Sequence, residues 1–159
     1  MRILIDADGC PVVDIAIKTS KSHNLSCFVI CDTSHRFERD GATTITVSKG
    51  ADSVDFALVN MVKPGDVVIT QDYGLAAMCL ARRAVPISQN GMVYNDYNIG
   101  GLLEQRAMSQ KIRRSGGRLS GPSKRTAEQN LAFELALNKL LADYRNETEQ
   151  ITEIQGDRI

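Results

Sequence analysis

Apolar and polar residues alternate along the chain with two periods, one suited to strands and one to helices. Residues 2–6 (Arg-Ile-Leu-Ile-Asp) form a short apolar run ending in an acid, which predicts a buried strand. Pro11 suits the first turn of a helix, and Val12, Ile15 and Ala16 then recur at helical spacing to about residue 22. Residues 27–31 (Cys-Phe-Val-Ile-Cys) predict a second strand, and 43–47, rich in β-branched residues, a third. Val54, Leu58 and Met61 make a helical stripe over 52–61. Pro64-Gly65-Asp66 is a turn, followed by a strand over 67–70, a helix from Gly74 to Arg83 and a short strand over 85–88. Asn90-Gly91 then turns the chain into 92–94.

This succession predicts an α/β fold, a mainly parallel sheet flanked by helices and joined by right-handed crossovers. Beyond residue 98 the pattern is helical throughout. Asn98 caps a helix that reaches about residue 115, and 115–123 is a loop containing Gly116-Gly117 and Gly121-Pro122. A last helix over 126–144 carries Leu131, Leu135, Leu137, Leu140 and Leu141, and Thr126 with Gln129 gives it a capping-box start. Residues 146–159 are polar and read as a frayed, flexible tail. The chain of 159 residues is long enough to bury one core without staples, so 1–145 is read as a single domain with a C-terminal helical extension.

Composition adds exclusions. Hydrophobic residues at 43% and charged residues at 24% rule out a wholly disordered chain. No apolar run approaches the ~18–20 residues that span a bilayer, and Asp6 and Asp8 arrive too early for a signal peptide. A cytoplasmic protein with no membrane partner is expected. Cys10, Cys27, Cys31 and Cys79 then read as free thiols, without the second close pair or nearby histidine that zinc needs. Cys10 precedes a helix, yet Asp6 and Asp8 oppose thiolate formation, so packing is its expected role. Nineteen basic and nineteen acidic residues cancel, but unevenly. Arg106, Lys111, Arg113, Arg114, Arg118, Lys124 and Arg125 fall within 106–126 with no acid among them.

The acids carry the candidate chemistry. In an open parallel sheet, ligands collect beyond the carboxyl ends of the strands. Asp6 ends the first strand, Asp72 follows the strand over 67–70, and Asp8 lies in the loop before the first helix. Asp52 and Asp55 share one face of a helix, where Asp52 reads as a helix-start acid. Carboxylates crowded at one sheet edge repel unless cations neutralise them, and oxygen ligands select Mg²⁺ or Mn²⁺. Metal held in this way supports phosphodiester cleavage. The plain alternative makes Asp8 a helix cap, Asp52 a helix-start acid and Asp55 a solvent-facing residue.

The stretches Asp6-Ala7-Asp8-Gly9-Cys10-Pro11-Val12, Gly50-Ala51-Asp52-Ser53-Val54-Asp55 and Thr70-Gln71-Asp72-Tyr73-Gly74-Leu75-Ala76 resemble the YaiI/YqxD family of uncharacterised bacterial proteins. Gly116-Gly117-Arg118, Gly121-Pro122, Thr126 and Phe133 resemble that family's tail, so the likeness covers about residues 2–141. Gly9 stands where Ala is expected, a change read as loosening the loop, and Gln129 where Asp is usual. The family is grouped with PIN-like domains, whose relatives are metal-dependent ribonucleases. The resemblance therefore implies a PIN-like, Rossmann-like sheet with Asp6, Asp55 and Asp72 as catalytic metal-holding residues and Asp8 beside them. It supplies no reaction of its own.

The basic segment is the second candidate. Arg113, Arg114 and Arg118 flank Gly116-Gly117, so guanidinium and backbone N–H groups would together suit phosphate, and RNA is the expected partner. A solvated helix face is the alternative, since no aromatics interleave for base stacking. His35, in the loop after the second strand, Lys49 and the helix-end His23 are left out of the catalytic set. Three functions remain in play: a Mg²⁺- or Mn²⁺-dependent ribonuclease or phosphodiesterase, a non-catalytic RNA-binding module with a structural metal site, and a haloacid-dehalogenase-like phosphatase. The last would use Asp6 as nucleophile, as the strand followed by Asp-x-Asp-Gly suggests, although Cys10 stands where Thr or Val is expected.

Overall fold

Strands that are apolar on both faces need a helical layer on each side, and the chain meets that need by alternating the two. The computed structural model describes residues 1–34 and 38–156. In chain order these residues form β1 (Ile3–Asp6), α1 (Val13–Ser22), β2 (Cys27–Asp32), β3 (Thr43–Val47), α2 (Ser53–Met61), β4 (Val67–Ile69), α3 (Tyr73–Ala81), β5 (Val85–Ile87), α4 (Ile99–Arg114) and α5 (Ala127–Gly156). The strands pair in the order β3-β2-β1-β4-β5, and every pairing is parallel. Residues 92–94, reached through the Asn90-Gly91 turn, add a single antiparallel bridge, Ile87 to Val93.

Side chains alternate across the sheet and sort the core into two layers. Ile3 and Ile5 of β1 pack with Ala16 of α1 and with Phe133, Leu137 and Leu141 of α5. Leu4 packs with Val54 and Leu58 of α2 and with Leu75 and Cys79 of α3. By the same alternation Asp6 falls on the side of α2 and α3. The chain leaves β1 in one direction to form β2 and β3, then crosses back to form β4 and β5 on the other side. The order therefore reverses between β1 and β4, and a crevice opens beyond their carboxyl ends.

At the opposite, amino end, Asp66 is closed off by an ion pair with Arg2. Asp66 is 2% exposed and also accepts the backbone N–H of Arg2 at 3.0 Å and of Lys63 at 2.9 Å. Arg2 donates in turn to the Met61 carbonyl at 2.8 Å and lies over the Phe28 ring. In the sequence Asp66 is only a turn residue.

Several local expectations are refined. The buried stripe of α5 is Phe133, Leu137 and Leu141, while Leu131 and Leu135 are exposed, because the turn-by-turn spacing of four selects one face. The helix continues through the polar stretch after Tyr144 to Gly156, where a frayed tail was expected. The capping box forms in both directions, Thr126 N to Gln129 Oε1 at 3.0 Å and Gln129 N to Thr126 Oγ1 at 3.3 Å. Asn98 sits at the start of α4, but its side chain serves the preceding turn, accepting from Asn95 N and donating to Val93 O. Gly9 adopts φ +72°, so it meets a left-handed backbone requirement rather than merely loosening the loop. All four cysteines are free thiols. Among the described residues no helix is long and apolar enough to cross a membrane. His35 lies outside the described residues.

Candidate functional site

The crevice between β1 and β4 is organised by one hydroxyl. Thr70, directly after β4, donates its Oγ1–H to Asp6 Oδ2 at 2.8 Å and accepts the Asp72 backbone N–H at 3.0 Å. The Thr70 carbonyl accepts from the buried Tyr94 hydroxyl at 3.3 Å, which anchors this turn to the core. Asp6 and Asp72 are thereby tied to one point on the carboxyl edge of the sheet. Asp72 occupies the N-cap of α3, where its Oδ1 accepts the Leu75 N–H at 3.0 Å, a role that the sequence reading did not assign to it.

Asp55, in the first turn of α2, faces the same crevice, and its carboxylate has no hydrogen-bond partner among the described residues. Burial, followed by the charges of Asp72, Asp6 and Asp52, pushes its pKa up to about 6, with Arg106 pulling the other way. The Asp6 pKa is also raised, chiefly by burial, then by Asp8 and Asp72 against the lowering effect of the Thr70 hydrogen bond. Asp8 Oδ2 accepts the Asp32 backbone N–H at 3.2 Å, joining the loop after β1 to the end of β2. Asp52 is exposed, precedes α2 in a left-handed conformation (φ +59°) and makes no capping hydrogen bond. The structure thus brings Asp6, Asp55 and Asp72 within reach of one another's charge, with Asp8 beside Asp6. Among the described residues no three His, Cys, Asp or Glu side chains converge closely enough to form a ready-made metal cage.

Two hollows adjoin these acids. A pocket of about 100 Å³ is lined by Asp6, Asp8, Cys10, Thr70 and Gln89, whose amide oxygen is buried without a hydrogen-bond partner among the described residues. Cys10 contributes a neutral thiol here, because burial pushes its pKa up to about 11. A more open groove of about 350 Å³ is lined by Asp55, Phe56, Asp72, Met78 and Arg106. Phe56 is 63% exposed, which places a bare aromatic ring beside the acids. A third hollow, about 270 Å³, lies at the amino end of the sheet between Met1, Leu25, Leu141 and Tyr144. It is mostly apolar, and its histidine, His23, is bonded through Nε2 to Asn138.

The basic segment reaches the acids through a residue that charge counting alone did not single out. Arg106, near the middle of α4, donates Nη1–H to Asp72 Oδ1 at 3.0 Å. Gly74 permits this approach, since a Cβ there would stand 3.1 Å from Asp72 Oδ1 and 3.4 Å from Arg106 Nη1. Arg113, Arg114 and Arg118, the residues expected at the phosphate, are exposed, and their side chains make no hydrogen bond or ion pair among the described residues. Arg113 lies seven residues beyond Arg106, which places it on the same helix face roughly 10 Å further along. Arg125 is committed to structure, donating to the Gln89 carbonyl, Asn90 Oδ1 and Asn130 Oδ1. Arg106 could have been found only by pairing the middle of α4 with the start of α3, a contact no local pattern encodes.

Comparison with known proteins places these residues in a family. Residues 4–143 match the family described as Uncharacterized BCR, YaiI/YqxD family. A UPF0178 protein of Exiguobacterium sibiricum is 53% identical over 143 residues, spanning 90% of this chain and 98% of that protein. A UPF0178 protein of Ruminiclostridium cellulolyticum is 51% identical over 137 residues, spanning 86% and 90%. One from Alkaliphilus oremlandii is 44% identical over 156 residues, spanning 98% and 97%. No solved structure matches this chain. With a family match across nearly the whole chain and relatives at about half identity, the chain belongs to the YaiI/YqxD family.

Proposed function

We propose that this protein is a Mg²⁺- or Mn²⁺-dependent phosphodiesterase of PIN-like type acting on single-stranded RNA. The observation that carries the reading is that Asp6, Asp55 and Asp72, drawn from three elements, lie within one another's field near the point where the strand order reverses. Each is partly buried, and burial first, then the charge of neighbouring acids, raises the pKa of Asp6 and Asp55. A fold pays for such repulsion where function requires it.

The donors fit a hard cation that keeps much of its water, since Mg²⁺ typically takes only one or two carboxylates. Asp6 Oδ1, Asp72 Oδ2 and both oxygens of Asp55 accept nothing among the described residues, so they are available to a cation or to its waters. The Arg106 guanidinium already stands in for positive charge at this place. Asp6, Asp55 and Asp72 would hold the ion, with Asp8 beside Asp6. When bound, the metal would lower the pKa of a water and offset charge on the phosphoryl oxygens.

The chain's own residues supply the rest. Thr70 fixes the Asp6 carboxylate, and the α3 N-cap fixes that of Asp72, so neither must reorient to serve as a ligand. Phe56 offers a ring on which an unpaired base would stack, which favours single strands over duplex. The exposed Arg113, Arg114 and Arg118 extend positive charge away from the groove for backbone binding.

The test is incubation of 5′-labelled single-stranded RNA with Mn²⁺ or Mg²⁺. Cleavage by the wild type, lost in Asp6→Asn and in Asp55→Asn, is the expected result. Metal-dependent binding without cleavage would leave the non-catalytic module, and metal-independent turnover of a phosphomonoester would favour the phosphatase.

A further inference from the structure

We propose that Arg106 is a phosphate-binding residue held in reserve: it neutralises the acidic crevice through Asp72 until a divalent cation takes over that role, and then turns to the substrate's phosphate. This rests on the cation-site reading above. Among the described residues Arg106 is the one cation lining the groove of Asp52, Asp55 and Asp72. Its grip is slight for a guanidinium. Of five N–H donors, one is used, from Nη1 to Asp72 Oδ1, and the others have no partner among the described residues. Arg106 and Asp72 have 43% and 34% side-chain exposure, so the pair is a weak, solvent-screened one.

Asp72 does not depend on the contact, because its Oδ1 also accepts the Leu75 N–H and would keep α3 capped after Arg106 left. A cation placed between Asp6, Asp55 and Asp72 would cancel the charge that holds the guanidinium there. Its unused N–H pairs would then match the two oxygens of a phosphodiester, the geometry at which Arg surpasses Lys. A second observation points to a ligand in the adjoining small pocket, which Asp6 lines and Arg106 does not. The buried Gln89 amide oxygen beside Asp6 accepts no hydrogen bond, a demand that a bound donor such as a hydrated cation meets. Gly74 serves the reserve position itself, since a methyl group there would crowd both Asp72 Oδ1 and Arg106 Nη1.

The exchange requires opposite effects on the two ligands. Mn²⁺ alone is titrated calorimetrically into the wild type, Arg106→Gln and Arg106→Lys, and a fluorescent 2′-O-methyl oligouridylate is titrated with and without Mn²⁺. Arg106→Gln should bind Mn²⁺ about fivefold more tightly, its competitor gone, and the oligonucleotide about tenfold more weakly when Mn²⁺ is present. In the wild type Mn²⁺ and oligonucleotide should each tighten the other, and that coupling should weaken in Arg106→Gln to what the metal alone supplies. Arg106→Lys keeps the charge without the fork, so it should match wild type for Mn²⁺ and fall between the two for the oligonucleotide. Melting curves check that each variant is folded. Unchanged or weaker Mn²⁺ binding by Arg106→Gln, with the wild type binding well, would overturn the exchange and leave the cation site standing. Absence of Mn²⁺ binding by the wild type would overturn both.

Discussion

At the amino end of the sheet Asp66 is buried and fully satisfied, gripped by the Arg2 guanidinium and by two backbone N–H groups. At the carboxyl end Asp6 has one hydrogen bond and Asp55 none among the described residues, and both lie in the field of further acids. Two ends of one sheet thus bury carboxylates under opposite rules. The first is built so that the charge costs the fold little, and the second so that charge remains to attract something else. Carboxylate count cannot distinguish them, whereas the partners can.

The largest expected effect comes from breaking the satisfied end. Asp66→Asn leaves the partly exposed Arg2 facing a neutral amide and should lower unfolding free energy by about 2 kcal/mol in denaturant melts, because a buried carboxylate and its charge-assisted hydrogen bonds are lost. A loss below about 1 kcal/mol would mean that the two ends differ less than their contacts imply.

This contrast also marks how much could be read from the sequence. The strands over 2–6, 27–31, 43–47 and 67–70 announce themselves by short apolar runs, and Asp6 and Asp72 by their place just after such runs. The Thr126–Gln129 cap is legible because it is local. The Arg2–Asp66 pair is not, since its partners are 64 residues apart and meet only once β1 and β4 are in register. Arg106 escapes for the same reason: it looks like one of seven basic residues until α4 packs on α3. Leu131 and Leu135 look equivalent to Leu137 until the packing of α5 selects the face of Phe133, Leu137 and Leu141.

A smaller effect, of opposite sign, is expected at the unsatisfied end. The folded pKa of Asp55, about 6, lies above its ordinary value of 3.8, so the folded protein binds its proton more tightly than the unfolded chain does. Stability therefore falls as pH rises from about 4 through about 6, and remains reduced above that window. Asp55→Asn should remove this fall and raise the stability of the metal-free protein at pH 7 by on the order of 1 kcal/mol, allowing for solvent screening. Melts across pH 4–8 would register it, and an Asn variant less stable than wild type at pH 7 would make Asp55 structural. Asp6→Asn should change metal-free stability by less than about 1 kcal/mol, because the amide oxygen can still accept from Thr70.

The slightest effect concerns salt. Raising ionic strength from about 0.05 M to about 0.5 M screens the repulsion among Asp6, Asp55 and Asp72 and should raise the wild-type melting temperature by a degree or so. The Asp6→Asn, Asp55→Asn double variant should respond less. An equal response would place the salt effect elsewhere on the molecule.

The central proposal is that the carboxyl edge gathers Asp6, Asp55 and Asp72 with fewer partners than Asp66 has because that edge binds a divalent cation. Thermal melting of the wild type and of Asp6→Asn across a Mn²⁺ titration tests it directly. The wild-type melting temperature should climb steadily once Mn²⁺ exceeds its dissociation constant, with about 2.7 kcal/mol gained at a hundredfold excess, and the climb should be largely lost in Asp6→Asn. A flat wild-type curve, or the same climb in both proteins, would contradict it.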